Sequence, residues 1–233
     1  MNIIETNDYG SIINLPDIEM TLKDFLKYNK RNPVIAFTGP AGIGKSTISK
    51  QVAELLGAKL YTELPELNPC LKVIKGTGGK VNDITLWGNN QNFFLSTDVA
   101  QIIKAFIHSK KFPIVFDFAL TQTLIFSDIK LKGKWLETFN DMFKLQFKSL
   151  PKPDIVIELQ ADNSVIIKRL NERGGKHIDE HIIKMIETIN HYYNSGIVPE
   201  SYQGETSRVL QIQNNVSVEE TVKNILYEIK KKV

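Results

Sequence analysis

A glycine-rich octapeptide, GPAGIGKS at residues 39–46, constrains the fold of this chain more than any other part of its sequence. It follows the apolar run VIAFT at 34–38, which predicts a buried strand, and it enters an amphipathic stretch at 43–56, which predicts a helix. Glycines at these spacings let backbone N–H groups and a helix N-terminus surround phosphate oxygens. The octapeptide fits the pattern G-x-x-x-x-G-K-[ST], so the sequence predicts a P-loop that binds nucleotide phosphates.

The residues of this loop have separate expected roles. Lys45 is predicted to bridge the terminal phosphates, and Ser46 is predicted to hold Mg²⁺. The predicted phosphate-contacting positions are Gly39, Ala41, Gly42, Ile43, Gly44, Lys45, Ser46 and Thr47.

Strand-like runs and helical periodicity alternate from residue 33 to the end of the chain. Further strands are predicted at 59–63, 112–117, 154–159 and 209–212. Further helices are predicted at 89–108, 123–129, 135–147, 163–173, 179–194 and 217–230. This alternation predicts an α/β protein, a three-layer P-loop NTPase fold with a five-stranded parallel sheet flanked by helices. Residues 32–233 are expected to form this domain, and residues 1–31 an N-terminal appendage with a short helix at 21–30.

The composition restricts the partners and the compartment. The net charge of +3 is too nearly balanced to indicate a nucleic-acid-binding protein. Cys70 is the only cysteine, which excludes an intrachain disulfide and favours a reducing cytoplasm. The longest apolar stretch, at 112–120, is far shorter than the roughly 20 residues needed to cross a bilayer, so no membrane partner is expected.

Two carboxylates, Glu63 and Asp117, stand at the ends of predicted strands, where open α/β sheets bind their ligands. One carboxylate near a γ-phosphate can accept the proton of an attacking hydroxyl, and a second can orient Mg²⁺. The pair therefore favours phosphoryl transfer, with Asp117 as a candidate metal ligand; a solvated acid at a strand end is the alternative for each. The absence of an N-K-x-D motif argues against a G protein.

A basic segment follows the fourth predicted strand. Arg169 and Arg173 are four residues apart and share a helix face, and Gly174, Gly175 and Lys176 come directly after them. Cations on a glycine-hinged segment could close over the nucleotide and neutralise charge on the transferred group, which predicts a mobile basic lid. An exposed basic helix end is the alternative.

Four segments resemble the deoxynucleoside kinase family, with thymidylate kinases as more distant relatives, over about residues 33–231. They are the P-loop; YTELPELNP at 61–69, similar to a strand that ends in a catalytic glutamate; VFD at 115–117; and 154–176, similar to the family's sensor helix and arginine lid. The resemblance implies ATP as donor, Mg²⁺, and phosphorylation of a nucleoside 5′-hydroxyl, with Glu63 as the general base and Lys176 in the lid. It also suggests a homodimer formed by the helices after the second and third strands.

The resemblance also implies that residues on or next to the long predicted helix at 89–108 contact the substrate. Gln91 aligns with a glutamine that pairs with the base edge, and Trp87 lies near enough to stack on a base, although core packing is the alternative. Asp98 and Phe118 each occupy a position where the family has an arginine, so base recognition is expected to be altered. Two alternatives stay open: a nucleoside monophosphate kinase similar to thymidylate kinase, and a nucleotide-binding regulatory protein without transfer activity.

Overall fold

The computed structural model of the chain describes residues 32–174, 178–195 and 208–232. Five strands form one sheet: β1 (Val34–Thr38), β2 (Lys59–Tyr61), β3 (Ile114–Phe116), β4 (Ile155–Gln160) and β5 (Arg208–Gln213). Their order in the sheet is β2-β3-β1-β4-β5, and every pairing is parallel. The predicted five-stranded parallel sheet is confirmed.

Helices cover both faces of the sheet. In chain order, the described helices are α1 (Lys45–Leu55), α2 (Pro69–Gly76), α3 (Ile84–His108), α4 (Leu120–Lys130), α5 (Lys134–Ser149), α6 (Asn163–Gly174), α7 (Glu180–Asn194) and α8 (Val218–Lys232). None of these described helices is long and apolar enough to span a membrane.

Two apolar cores lie between the sheet and these helices. Successive strand residues point to opposite faces, so Phe37 and Ile157 pack with α1, α6 and α8, whereas Ala36 and Val156 pack with α3, α4 and α7. Burial of the central strands on both faces explains why their sequences are continuously apolar. The predicted three-layer arrangement is confirmed.

The main difference from the sequence prediction is α2, which occupies part of a segment expected to be a loop. The buried Asn68 side chain accepts hydrogen bonds from the backbone N–H groups of Cys70 and Leu71, at 3.0 and 3.2 Å, and Pro69 stands at the first helical position. Both are helix-start signals. The long helix α3 begins five residues earlier than expected because Asp83 caps it. The predicted appendage at 1–31 lies outside the described residues, and so do two residues of the predicted lid, Gly175 and Lys176.

Candidate active site

The P-loop connects β1 to α1, and its glycines adopt conformations that other residues rarely take. Gly39, Gly42 and Gly44 have φ angles of +143°, +82° and +102°. A Cβ atom at Gly39 would lie 2.7 Å from the carbonyl oxygen of Leu159, so the loop can pass β4 only with a glycine there. Gly44 caps α1, which directs the free N–H groups of that helix into the loop. Three other residues that were predicted to contact phosphate are exposed to solvent: Ala41, Ser46 and Thr47.

The Lys45 ammonium lies inside the curve of the loop. It donates hydrogen bonds to the carbonyl oxygens of Gly39 and Pro40, at 2.7 and 3.2 Å. Burial lowers the pKa of Lys45, and the nearby carboxylates of Glu63 and Asp117 oppose that shift. The structure therefore brings the predicted phosphate-binding lysine together with both predicted carboxylates.

Glu63 follows β2, and Asp117 follows the neighbouring strand β3. The backbone N–H of Glu63 donates to Asp117 Oδ1 at 3.0 Å, and Gln122 Nε2 donates to Glu63 Oε1 at 3.3 Å. Burial raises the pKa of Glu63, with Lys45 opposing the shift. Burial also raises the pKa of Asp117, against hydrogen bonds from the Glu63 backbone and the Ser46 side chain. The two carboxyl groups are thus held by backbone and side-chain contacts beside the P-loop.

The predicted substrate residues Trp87, Gln91 and Asp98 lie along α3, and all three are buried. The Trp87 indole N–H donates to the carbonyl oxygen of Val81 at 3.0 Å, and its ring packs in an apolar cluster between α3 and α5. Asp98 is fully buried, and burial together with the charges of Glu63 and Asp117 raises its pKa well above the usual range. Asp98 therefore belongs to the acidic group around Glu63.

The predicted lid residues occupy different environments. Arg169 lies on α6 and donates to the carbonyl oxygens of Ile43 in the P-loop and of Val216, at 3.1 and 3.2 Å. Arg173, one turn further on, is exposed at the end of the helix. Arg169 thus joins the P-loop to the segment before α8, and the lid role of both arginines stays a prediction.

Three residues that support the site were missed in the sequence. Gln122 donates a hydrogen bond to Glu63. Gln122 lies in the first turn of α4, directly after β3, and this position in the sequence could have identified it as a site residue. Asn214 donates to the carbonyl oxygen of Ile43, and the buried Tyr193 hydroxyl lies 3.0 Å from Thr38 Oγ1. No local signal marks Asn214 or Tyr193, because both reach the P-loop only through tertiary packing.

Comparison with known proteins places this site in a family. Residues 35–233 match the family model described as deoxynucleoside kinase. Deoxyguanosine kinase of Bacillus subtilis (strain 168) is 28% identical over 145 residues, which are 61% of this chain and 67% of the relative. A probable thymidylate kinase of Sulfurisphaera tokodaii is 31% identical over 153 residues, which are 64% of this chain and 74% of the relative.

A solved structure shows the same fold. Deoxyadenosine kinase from M. mycoides superposes with a TM-score of 0.68 at 22% sequence identity, over 85% of this chain and 99% of its own. The family match itself spans most of the chain and includes the P-loop, both strand-end carboxylates and α3. The chain therefore belongs to the deoxynucleoside kinase family and is a nucleoside kinase, a phosphotransferase.

Proposed function

We propose that the chain transfers the γ-phosphate of ATP in line to the 5′-hydroxyl of a nucleoside, with Glu63 accepting the hydroxyl proton. The observation that carries the proposal is that the Glu63 carboxyl, at the carboxyl edge of the sheet, lies close enough to Lys45 and Asp117 to interact with both charges. Burial raises the pKa of Glu63 above its usual value, which makes its carboxylate a better proton acceptor than an exposed glutamate. The hydrogen bond from Gln122 orients that carboxylate.

The P-loop and its neighbours fit ATP and Mg²⁺. The loop glycines have the positive φ angles that a tight phosphate-binding loop needs, and the Lys45 ammonium is bonded to the loop carbonyl of Gly39. The Ser46 hydroxyl and the Asp117 carboxylate are hydrogen-bonded to each other, and both are oxygen ligands of the type Mg²⁺ prefers. The described residues contain no group of three ionisable side chains that could hold a metal, so Mg²⁺ would also need phosphate oxygens. Bound there, it would neutralise phosphate charge.

A nucleoside suits the acceptor side better than a nucleoside monophosphate. Asp98 and Asp117 both lie close enough to Glu63 to affect ionisation in the site, and each adds negative charge when ionised. A phosphate on the acceptor would add further negative charge beside these carboxyl groups, where the described part of the chain places Lys45 as the nearby cation, and this opposes the monophosphate kinase alternative. Family membership opposes the alternative of a regulatory protein without transfer activity.

The proposal includes a homodimeric assembly and a cytoplasmic location. Exposed apolar side chains stand on α3 and α5, which pack against each other: Ile103, Ile107, Met142 and Leu145. They support a homodimer through these helices, which a native mass of twice 26.5 kDa would bear out. A cytoplasmic location stays a prediction from the single cysteine.

Transfer of labelled γ-phosphate from Mg·ATP to nucleosides and to monophosphates tests the reaction, with Lys45→Ala as the blank. Glu63→Gln keeps the shape of the side chain but removes the base, so we expect kcat to fall by about 10²–10⁴ while nucleoside binding persists. Glu66→Gln is the matched control, because Glu66 is exposed three residues further on and should leave kcat unchanged. Near-normal turnover of Glu63→Gln, or product from monophosphates alone, would contradict the proposal.

A further inference from the structure

The buried hydroxyl of Tyr193 on α7 contacts the point where β1 passes into the P-loop. Only 1% of the surface of this residue is exposed. The hydroxyl lies 3.0 Å from Thr38 Oγ1, and the backbone N–H of Gly39 donates a second hydrogen bond to it. Thr38 is the last residue of β1, and Gly39 is the first glycine of the P-loop. One side chain from a distant helix therefore bonds to two consecutive residues at the start of the loop.

The rest of α7 holds Tyr193 in this place. Three residues earlier, the buried Asn190 side chain donates to the carbonyl oxygen of Ala161 at 3.1 Å and to Asn163 Oδ1 at 2.7 Å. Ile189 and Tyr193 also pack together in the apolar core beside the central strands. A side chain that is locked by packing on a rigid helix presents its polar atom in a defined position, so this hydroxyl is preorganised.

Gly39 links this contact to the predicted phosphate-binding lysine. Its carbonyl oxygen accepts a hydrogen bond from the Lys45 ammonium at 2.7 Å, while its N–H is bonded to Tyr193. On the other side, a Cβ atom at Gly39 would lie 2.7 Å from the carbonyl oxygen of Leu159, so β4 leaves it no room to move in that direction. Gly39 is thus fixed between Tyr193 and β4, and its carbonyl oxygen helps to set the position of the Lys45 ammonium.

We propose that Tyr193 is a positioning residue for the phosphates of the donor nucleotide, and that it acts through Gly39 on the ammonium of Lys45. The inference rests on the proposed function and names a residue, outside the P-loop itself, that sets the affinity of its donor site. The hydrogen bonds of the hydroxyl keep the lysine at a fixed place beside the loop. A cation that is already in position binds phosphate more strongly, because less ordering is needed during binding.

Tyr193 acts as a hydrogen-bonding group and does not transfer a proton. Burial raises the pKa of its hydroxyl above the usual value, and the nearby carboxylates of Glu158 and Glu63 act in the same direction. The hydroxyl therefore stays protonated at neutral pH, where it can donate and accept hydrogen bonds at the same time. Its removal should consequently weaken phosphate binding without taking an acid or a base from the reaction.

Tyr193→Phe tests the inference, because it removes the hydroxyl but keeps the ring in the core. In calorimetric titrations we expect it to weaken the binding of Mg·ATP and of inorganic tripolyphosphate by roughly 3–10-fold each, the effect of one neutral hydrogen bond. KM for ATP should rise by the same factor, while KM for the nucleoside stays unchanged. Tyr192→Phe is the matched control, because Tyr192 is the preceding residue of α7 and its hydroxyl has no hydrogen-bond partner among the described residues.

A purely structural role for Tyr193 predicts a different pattern. If the hydroxyl only stabilises the fold, Tyr193→Phe lowers the unfolding temperature, but the folded variant binds tripolyphosphate as tightly as the wild type, and that result would overturn the proposal. A parallel rise of both KM values would also overturn it, because the loss would then not be specific to the donor site. Binding is measured at a temperature at which circular dichroism shows each variant to be folded.

A double-mutant cycle tests the route through Lys45. In a Lys45→Ala background Gly39 holds no ammonium, so Tyr193→Phe should then weaken ATP binding by a smaller factor than in the wild type. The same factor in both backgrounds would refute this route. If the wild-type protein transfers phosphate to no nucleoside, the proposed function fails, whereas a loss of tripolyphosphate affinity in Tyr193→Phe would still sustain the positioning role.

Discussion

Gly42→Ala tests how closely the P-loop is packed against α6. Gly42 has a φ angle of +82°, and a Cβ atom there would lie 2.6, 2.8 and 2.9 Å from three side-chain atoms of Leu170. A side chain in the left-handed region costs about 1–2 kcal/mol, and forcing a methyl group into a packed contact costs about 1–3 kcal/mol more. We therefore expect the free energy of unfolding to fall by about 2–5 kcal/mol in total.

A double-mutant cycle separates the two costs. Leu170→Ala removes the three atoms that meet the new methyl group, so Gly42→Ala/Leu170→Ala should be about 1–3 kcal/mol more stable than the sum of the single effects predicts. Gly57→Ala is the matched control, because Gly57 has a φ angle of +58° but no atom within 4 Å of its Cβ position. It should show only the backbone cost of about 1–2 kcal/mol.

Urea unfolding of these variants, followed by circular dichroism, provides the free energies. An additive cycle would refute the argument, because it would mean that Leu170 does not resist the methyl group. A Gly57→Ala effect as large as that of Gly42→Ala would also refute it, since backbone strain alone would then account for both.

Two further predictions concern Phe118 and Asp98, which are both buried. Phe118 is buried with its ring 5.1 Å from that of Phe116, so Phe118→Arg should lower the free energy of unfolding by about 3–5 kcal/mol, as measured by urea unfolding. Phe112→Arg is the control, because Phe112 is half-exposed and its replacement should change the free energy little. Equal effects of the two substitutions would contradict this prediction. Burial raises the folded-state pKa of Asp98 above the unfolded value, so wild-type stability falls as pH rises between the two values. In thermal unfolding, the stability of Asp98→Asn relative to the wild type should therefore be lowest at about pH 4 and rise with pH; a difference independent of pH would count against a raised pKa.

The sequence was sufficient to predict the sheet, all the described helices except α2, and the P-loop, because each depends on local pattern. Apolar runs, helical periodicity and the glycine spacing around Lys45 are properties of short segments, and the structure confirms all five strands. Helix α2 was missed although Asn68 and Pro69 carry its start signal, because two prolines within five residues are also typical of a loop. The strand-end position of Glu63 and Asp117 was equally local, since parallel strands end at the same edge.

Tertiary structure decided the environment of each of these groups. Nothing within α3 or after β3 indicates that Asp98 is fully buried near two other carboxylates, or that Phe118 turns into the apolar core instead of the site. Arg169 was predicted as a lid residue from its helix position, but whether it contacts the P-loop carbonyl of Ile43 depends on how α6 packs. Local sequence therefore determined the fold and the P-loop, whereas burial and charge at the candidate site arise from segments distant in the chain, because only packing sets the solvation and neighbours of a side chain.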